Sequence, residues 1–133
     1  MLYEHRLTAP ANTASGDPVK LPVTLVPGTI VGLAVQFPAG CMGLVHAQIW
    51  RGAHILWPSN PDSGLAANAW VVEWQEDYRM DAAPYQLVLV GWSDDDTFDH
   101  TLTFRLNLIE QKRVEEAGGM GLLRRIAAVL GVR

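Results

Sequence analysis

The sequence predicts an all-β domain, an antiparallel sandwich or jelly-roll-like barrel of about eight strands, followed by a short C-terminal amphipathic helix. Three observations carry that prediction. Short runs of β-branched, aromatic and leucine residues recur along residues 1–110, separated by clusters of Pro, Gly, Asn and Asp, which is the cadence of sheets built from short strands. Apolar residues make up 49% of the 133 and charged ones 18%, so burial can offset chain ordering in a single domain. Beyond Glu110 the apolar period changes from that of a strand to that of a helix.

The expected strands are 2–8 (LYEHRLT), 19–26 (VKLPVTLV), 29–37 (TIVGLAVQF), 43–50 (GLVHAQIW), 53–57 (AHILW), 69–75 (AWVVEWQ), 84–92 (PYQLVLVGW) and 97–109. Pro22 lacks an N–H for a ladder, and with Gly32 and Gly43 it marks an edge, a bulge or a close backbone approach. The run 84–92 is apolar on both sides, with Tyr85, Leu87 and Leu89 against Val88, Val90 and Trp92. Such a strand is covered on both faces, centrally in a sandwich or at a subunit interface. The last strand alternates best, with His100, Leu102, Phe104, Leu106 and Leu108 on one face and Thr101, Thr103, Arg105 and Asn107 on the other. Segments 38–43 (PAGCMG) and 58–69 (PSNPDSGLAANA) read as loops by their turn chemistry.

Residues 1–110 thus form the body, 111–121 a linker containing Gly118, Gly119 and Gly121, and 122–133 a helical tail. Leu122, Leu123, Ile126, Val129 and Leu130 fall on one helical stripe, with Arg124 and Arg125 off it. A helix of about three turns is marginal alone, so the stripe needs an acceptor. These seven residues are the expected partner-binding set, and a neighbouring copy is the expected acceptor.

Charge divides along the same boundary. Residues 1–111 hold 5 Lys+Arg against 12 Asp+Glu, and residues 112–133 hold 5 against 2. An acidic body repels phosphate backbones, so nucleic acid is not an expected partner. No apolar run reaches the length of a membrane span, and MLYEHRLTAP lacks the apolar core of a signal peptide, so neither is expected. The single cysteine, Cys41, excludes an internal disulfide framework and a Cys-rich metal site. Assembly inside a cell is the simpler expectation.

Chemistry-bearing residues cluster in one place. Asp94, Asp95, Asp96 and Asp99 lie within six residues and offer the hard oxygens that calcium prefers. The run lacks the glycine and terminal glutamate of an EF-hand, and between two strands it reads as a solvated hairpin turn. Asp94, Asp96 and Asp99 are the metal candidates that this reading leaves, and no metal or other cofactor is expected. His100 opens an apolar face, as a hydrogen-bonded core histidine does. It could meet His46 there, or join His5, His46 and His54 around a metal. Cys41 has no local base or oxyanion signature, and no phosphate loop or nucleophile elbow occurs. The chain is therefore read as non-enzymatic.

Five tryptophans exceed what so small a core usually holds. Trp50, Trp57 and Trp92 are the expected interface aromatics. Trp70 and Trp74 share a strand face with Val72, which favours packing.

The stretches FPAGCMGLVHAQIWRGAHILWPSNPD (37–62) and PYQLVLVGWSDDDTFDHTLTFRLNL (84–108), with Asp96, Asp99, His100 and Thr101 at the second turn, resemble small β-sandwich proteins among the virion genes of tailed bacteriophages. The resemblance covers most of the body and not the tail. It implies an accessory structural protein of the virion, a capsid decoration protein that forms a homotrimer, binds the major capsid or another virion protein, and is assembled in the host cytoplasm. The alternative from the residues themselves is a carbohydrate-binding module that uses tryptophans and calcium held by the aspartates.

Overall fold

The computed structural model describes residues 1–60 and 64–111. It contains β1 (Leu2–Ala9), β2 (Val19–Thr24), β3 (Gly28–Phe37), β4 (Val45–Arg51), β5 (His54–Trp57), β6 (Trp70–Met80), β7 (Gln86–Ser93) and β8 (His100–Glu110). These form two antiparallel sheets, β1-β8-β3-β6 (sheet I) and β2-β7-β4-β5 (sheet II). All eight expected strands are present, and no helix occurs among the described residues. The expected tail helix, and the linker past Gln111, lie outside the described residues.

Pairing follows one rule. β1 joins β8, β2 joins β7, β3 joins β6 and β4 joins β5. The chain is thus one long hairpin, turned between β4 and β5, whose successive strand pairs alternate between the sheets. The connections between the sheets at the end where β1, β3, β5 and β7 finish are loops over their described residues (10–18, 38–44, 58–60 with 64–69, and 94–99). We call this the loop end. The opposite end holds the short turns, Met1 and Gln111, and we call it the terminal end.

Alternation builds the core. In β8, Leu102, Phe104, Leu106 and Leu108 are fully buried while Thr101 and Asn107 are exposed, as expected. They pack with Leu33, Val35 and Phe37 of β3 against Ile49, Leu87 and Leu89 of sheet II. β7 is central in sheet II, and its outward Val90 and Trp92 are buried as well. The cover comes from the same chain: Lys20 and Gln48 flank Val90 in register, Trp50 donates to Gln48 at 2.8 Å, and Lys20 Nζ sits 4.9 Å from the Trp50 ring centre. A two-sided apolar strand here needs no second subunit to explain it.

Between the outer strands β5 and β6 the sandwich is closed by Trp57. Its ring meets Trp74 and Tyr78 edge-on at 6.3 and 5.5 Å, and its indole N–H donates to Glu76 at 2.9 Å. Pro22 lies on the edge strand β2, and Gly32 lies where the register of β3 shifts against both neighbours. β6 runs five residues past its expected end because Glu76, Asp77 and Arg79 mask the alternation of Trp74, Tyr78 and Met80. β8 starts three residues late, for a reason found in the loop before it.

Candidate functional site

The four loops of the loop end are tied to one another. Asn12 N–H donates to the Asp95 carbonyl at 2.8 Å, Ser93 N–H to that of Thr13 at 3.1 Å, and Asp94 N–H to that of Leu44 at 2.9 Å. Asn68 completes the chain, its Oδ1 accepting from the backbone N–H of both Gly40 and Met42 at 3.0 Å. Ala69 N–H donates to the Pro38 carbonyl at 3.2 Å, and Sγ of the buried Cys41 lies 2.9 Å from the Ala67 carbonyl oxygen. Cys41 is therefore a packing residue under two loops.

Within this frame the aspartates take separate tasks. Asp95 is turned inward and buried, which corrects the expectation of a solvated turn for this residue. Its Oδ2 lies 2.7 Å from His100 Nε2, and its Oδ1 accepts from Thr97 N–H at 2.9 Å. An ionised carboxylate only accepts, so the imidazole donates. The bond from His100, then that from Thr97, holds the Asp95 carboxyl below its ordinary 3.8, against the burial that raises it. These bonds also curl residues 95–98 into the turn that delays β8. Asp94 is exposed and lies 3.0 Å from His46, which stacks on Trp92. Asp96 accepts from the Thr97 hydroxyl and Asp99 from Ala11 N–H.

The expected groupings are not formed. His46 and His100 each pair with their own aspartate, His5 sits in β1, and His54 is exposed on β5. Among the described residues no three His, Cys, Asp or Glu side chains gather around a point where a metal ion fits. Asp94, Asp96 and Asp99 face three different partners. Of the expected interface aromatics, Trp57 and Trp92 are buried and Trp50 is half-buried. The tail residues Leu122, Leu123, Arg124, Arg125, Ile126, Val129 and Leu130 lie outside the described residues.

What the loop end displays instead is apolar. Met42 is 72% exposed and Trp70 67% exposed, with Leu44, Val71 and Phe98 also exposed at this end. Pro38, Ala39, Ala69, Trp70 and Val71 line a shallow hollow beside Phe37. Met42 at φ 53° and Ala69 at φ 51° are left-handed without being glycine, a conformation that costs free energy and gathers at functional sites. Asn68 and Pro38 hold both in place. Trp70 shares the inward parity of Trp74, yet it stands at the start of β6, beyond the cover of sheet II. Position along the strand, not strand face, decides its exposure. No family model matches the chain, and no curated protein matches it significantly.

Proposed function

We propose that this chain is a non-enzymatic assembly protein, a capsid decoration protein that forms a trimer and seats its loop end on a repeating protein shell. The observation that carries it is the exposure of Met42, Trp70 and Val71 at the loop end, where Asn68 and Pro38 hold the left-handed Met42 and Ala69 in place. Methionine and tryptophan are enriched in protein interfaces, and a pre-ordered patch loses little entropy on docking. The nested strand order 1-8-3-6 and 2-7-4-5 is that of a jelly roll, an architecture shared by viral capsid and lectin domains. Architecture alone does not choose between them. The resemblance of residues 37–62 and 84–108 to accessory virion proteins of tailed bacteriophages favours the shell, and Met42 lies in the first stretch.

The test pairs mass with sedimentation. The protein is expected at three times 14.6 kDa in solution and to co-sediment with shells assembled from the major capsid protein of the same genome. Met42→Asp with Trp70→Asp should leave the thermal midpoint unchanged, since both side chains are exposed and Asp tolerates positive φ. Shell occupancy should fall at least about tenfold, a loss of ~1.4 kcal/mol. A monomer that never sediments with shells overturns the proposal.

A second reading rests on Trp70. A single exposed indole is a platform for stacking a sugar ring, which fits a carbohydrate-binding module. A glycan array that stays blank with and without calcium removes it.

A further inference from the structure

Sheet I carries a trough in its outer face. Its floor is the outward side of β3 at the register shift, Val31, Gly32 and Ala34, where small side chains leave the sheet uncovered. Leu2 and Asn107 form one wall, and Glu73 and Gln75 of β6 the other. Arg105 also borders it, with its charge met by Glu4 at 3.0 Å. Asn107 lines a second hollow as well, one that continues past Ile109 and Glu110 to Gln111. The concavity therefore runs to the point where the described chain ends.

Its rim is unusually apolar for a free sheet face. Leu2 is 65% exposed and Ile109 63% exposed, and the register sets Leu2 directly beside Asn107, two residues from Ile109 on the same face. Ile109 in turn pairs with Thr29, two residues from Val31. Clustered apolar groups of this kind mark contact surfaces.

We infer that residues 122–130 of the same chain dock in this trough. The stripe of Leu122, Leu123, Ile126, Val129 and Leu130 covers Leu2, Val31 and Ile109, and Arg124 and Arg125 lie toward the carboxylate of Glu73 on the far wall. Three lines of physics converge on this. The stripe needs an acceptor, and the trough is one. Residues 1–111 are acidic by 12 Asp+Glu to 5 Lys+Arg, whereas residues 112–133 are basic by 5 to 2, so the two attract. Residues 112–121 span up to about 33 Å when extended, and the trough floor begins only three residues along β3 from Gly28, roughly 10 Å. Because Gly28 pairs with Glu110, the tether reaches easily. A tether of this length gives an effective concentration of about a millimolar, which favours the chain's own trough over that of a neighbour. The inference does not depend on shell binding.

Amide NMR of the full chain against full-chain Ile126→Asp/Leu130→Asp tests it. Shift differences are expected at residues 31–34, 73–75 and 105–109, unchanged on dilution. Gly32→Trp, whose Cβ makes only ordinary contacts with Asn107 Cβ at 3.6 Å and the Trp74 carbonyl oxygen at 4.0 Å, should fill the trough and erase them, with a folded body checked by the amide shifts of sheet II. Two results overturn the inference: no shift differences in the trough, or differences that disappear on dilution, which would place the tail on a neighbouring copy.

Discussion

Asp95 shows how one residue organises a loop. Its carboxylate joins His100 of β8 to the N–H groups of Thr97 and Phe98, and its own carbonyl holds Asn12. The folded form is more acidic than the ordinary 3.8, so ionisation favours folding. That contribution is complete above about pH 3.8 and is lost as the pH falls through the lower folded value. Thermal melts across pH should show the midpoint falling below that point. Asp95→Asn should lower the midpoint at neutral pH and flatten the acid limb of the profile. The histidine was legible from the sequence, because His100 has the parity of Leu102 and Phe104. The aspartate was legible in principle too, since Asp95 continues the inward parity of Leu87, Leu89 and Ser93. An acidic run hides which of its members turns inward. The exposed Met42 and Trp70 were not legible, because Met42 is displayed by Asn68 tying two distant loops together and Trp70 by standing at the start of β6, beyond the cover of sheet II.

Strands reveal where the sheets tolerate no side chain. A Cβ on Gly28 would lie 2.3 Å from the Ile109 carbonyl oxygen, whereas one on Gly91 would lie 2.7 Å from Leu7 Cδ2. Backbone cannot move aside at a ladder position, but a leucine tip can rotate. Urea unfolding should therefore show Gly28→Ala losing about 3 kcal/mol and Gly91→Ala about 1 kcal/mol, within the range for overpacking. Equal losses would mean that the β3–β8 ladder yields as readily as a side chain. Strand existence was readable throughout, because the inward sides of β3, β7 and β8 are continuous apolar sets. Strand ends were less so. β6 carries Glu76 on its inward parity, where it accepts from Trp57 of the other sheet, and no local pattern announces such a partner.

At the scale of the molecule the two ends act separately. Gly28 and Phe37 terminate the same strand, β3, and nine rises set them roughly 30 Å apart. Stability losses from Gly28→Ala and Phe37→Leu should therefore add to within about 0.5 kcal/mol in the double variant. The same separation lets the loop end serve a partner while the terminal end serves the tail. Fold class was readable from strand cadence, but strand order was not, since pairings such as Leu2 with Asn107 join residues from opposite ends of the body.

The nested order also governs when the chain is able to fold. β1 is an edge strand whose neighbour in sheet I is β8, so the first strand made waits for the last. During synthesis at about 5–20 residues per second, β1 spends several seconds without its partner. Contacts this remote in sequence make closure slow relative to domains built from neighbouring strands. Among the described strand pairs the β4–β5 hairpin, with its two-residue turn, is the most local, so it is expected to form first, with the pairs nested around it following outward.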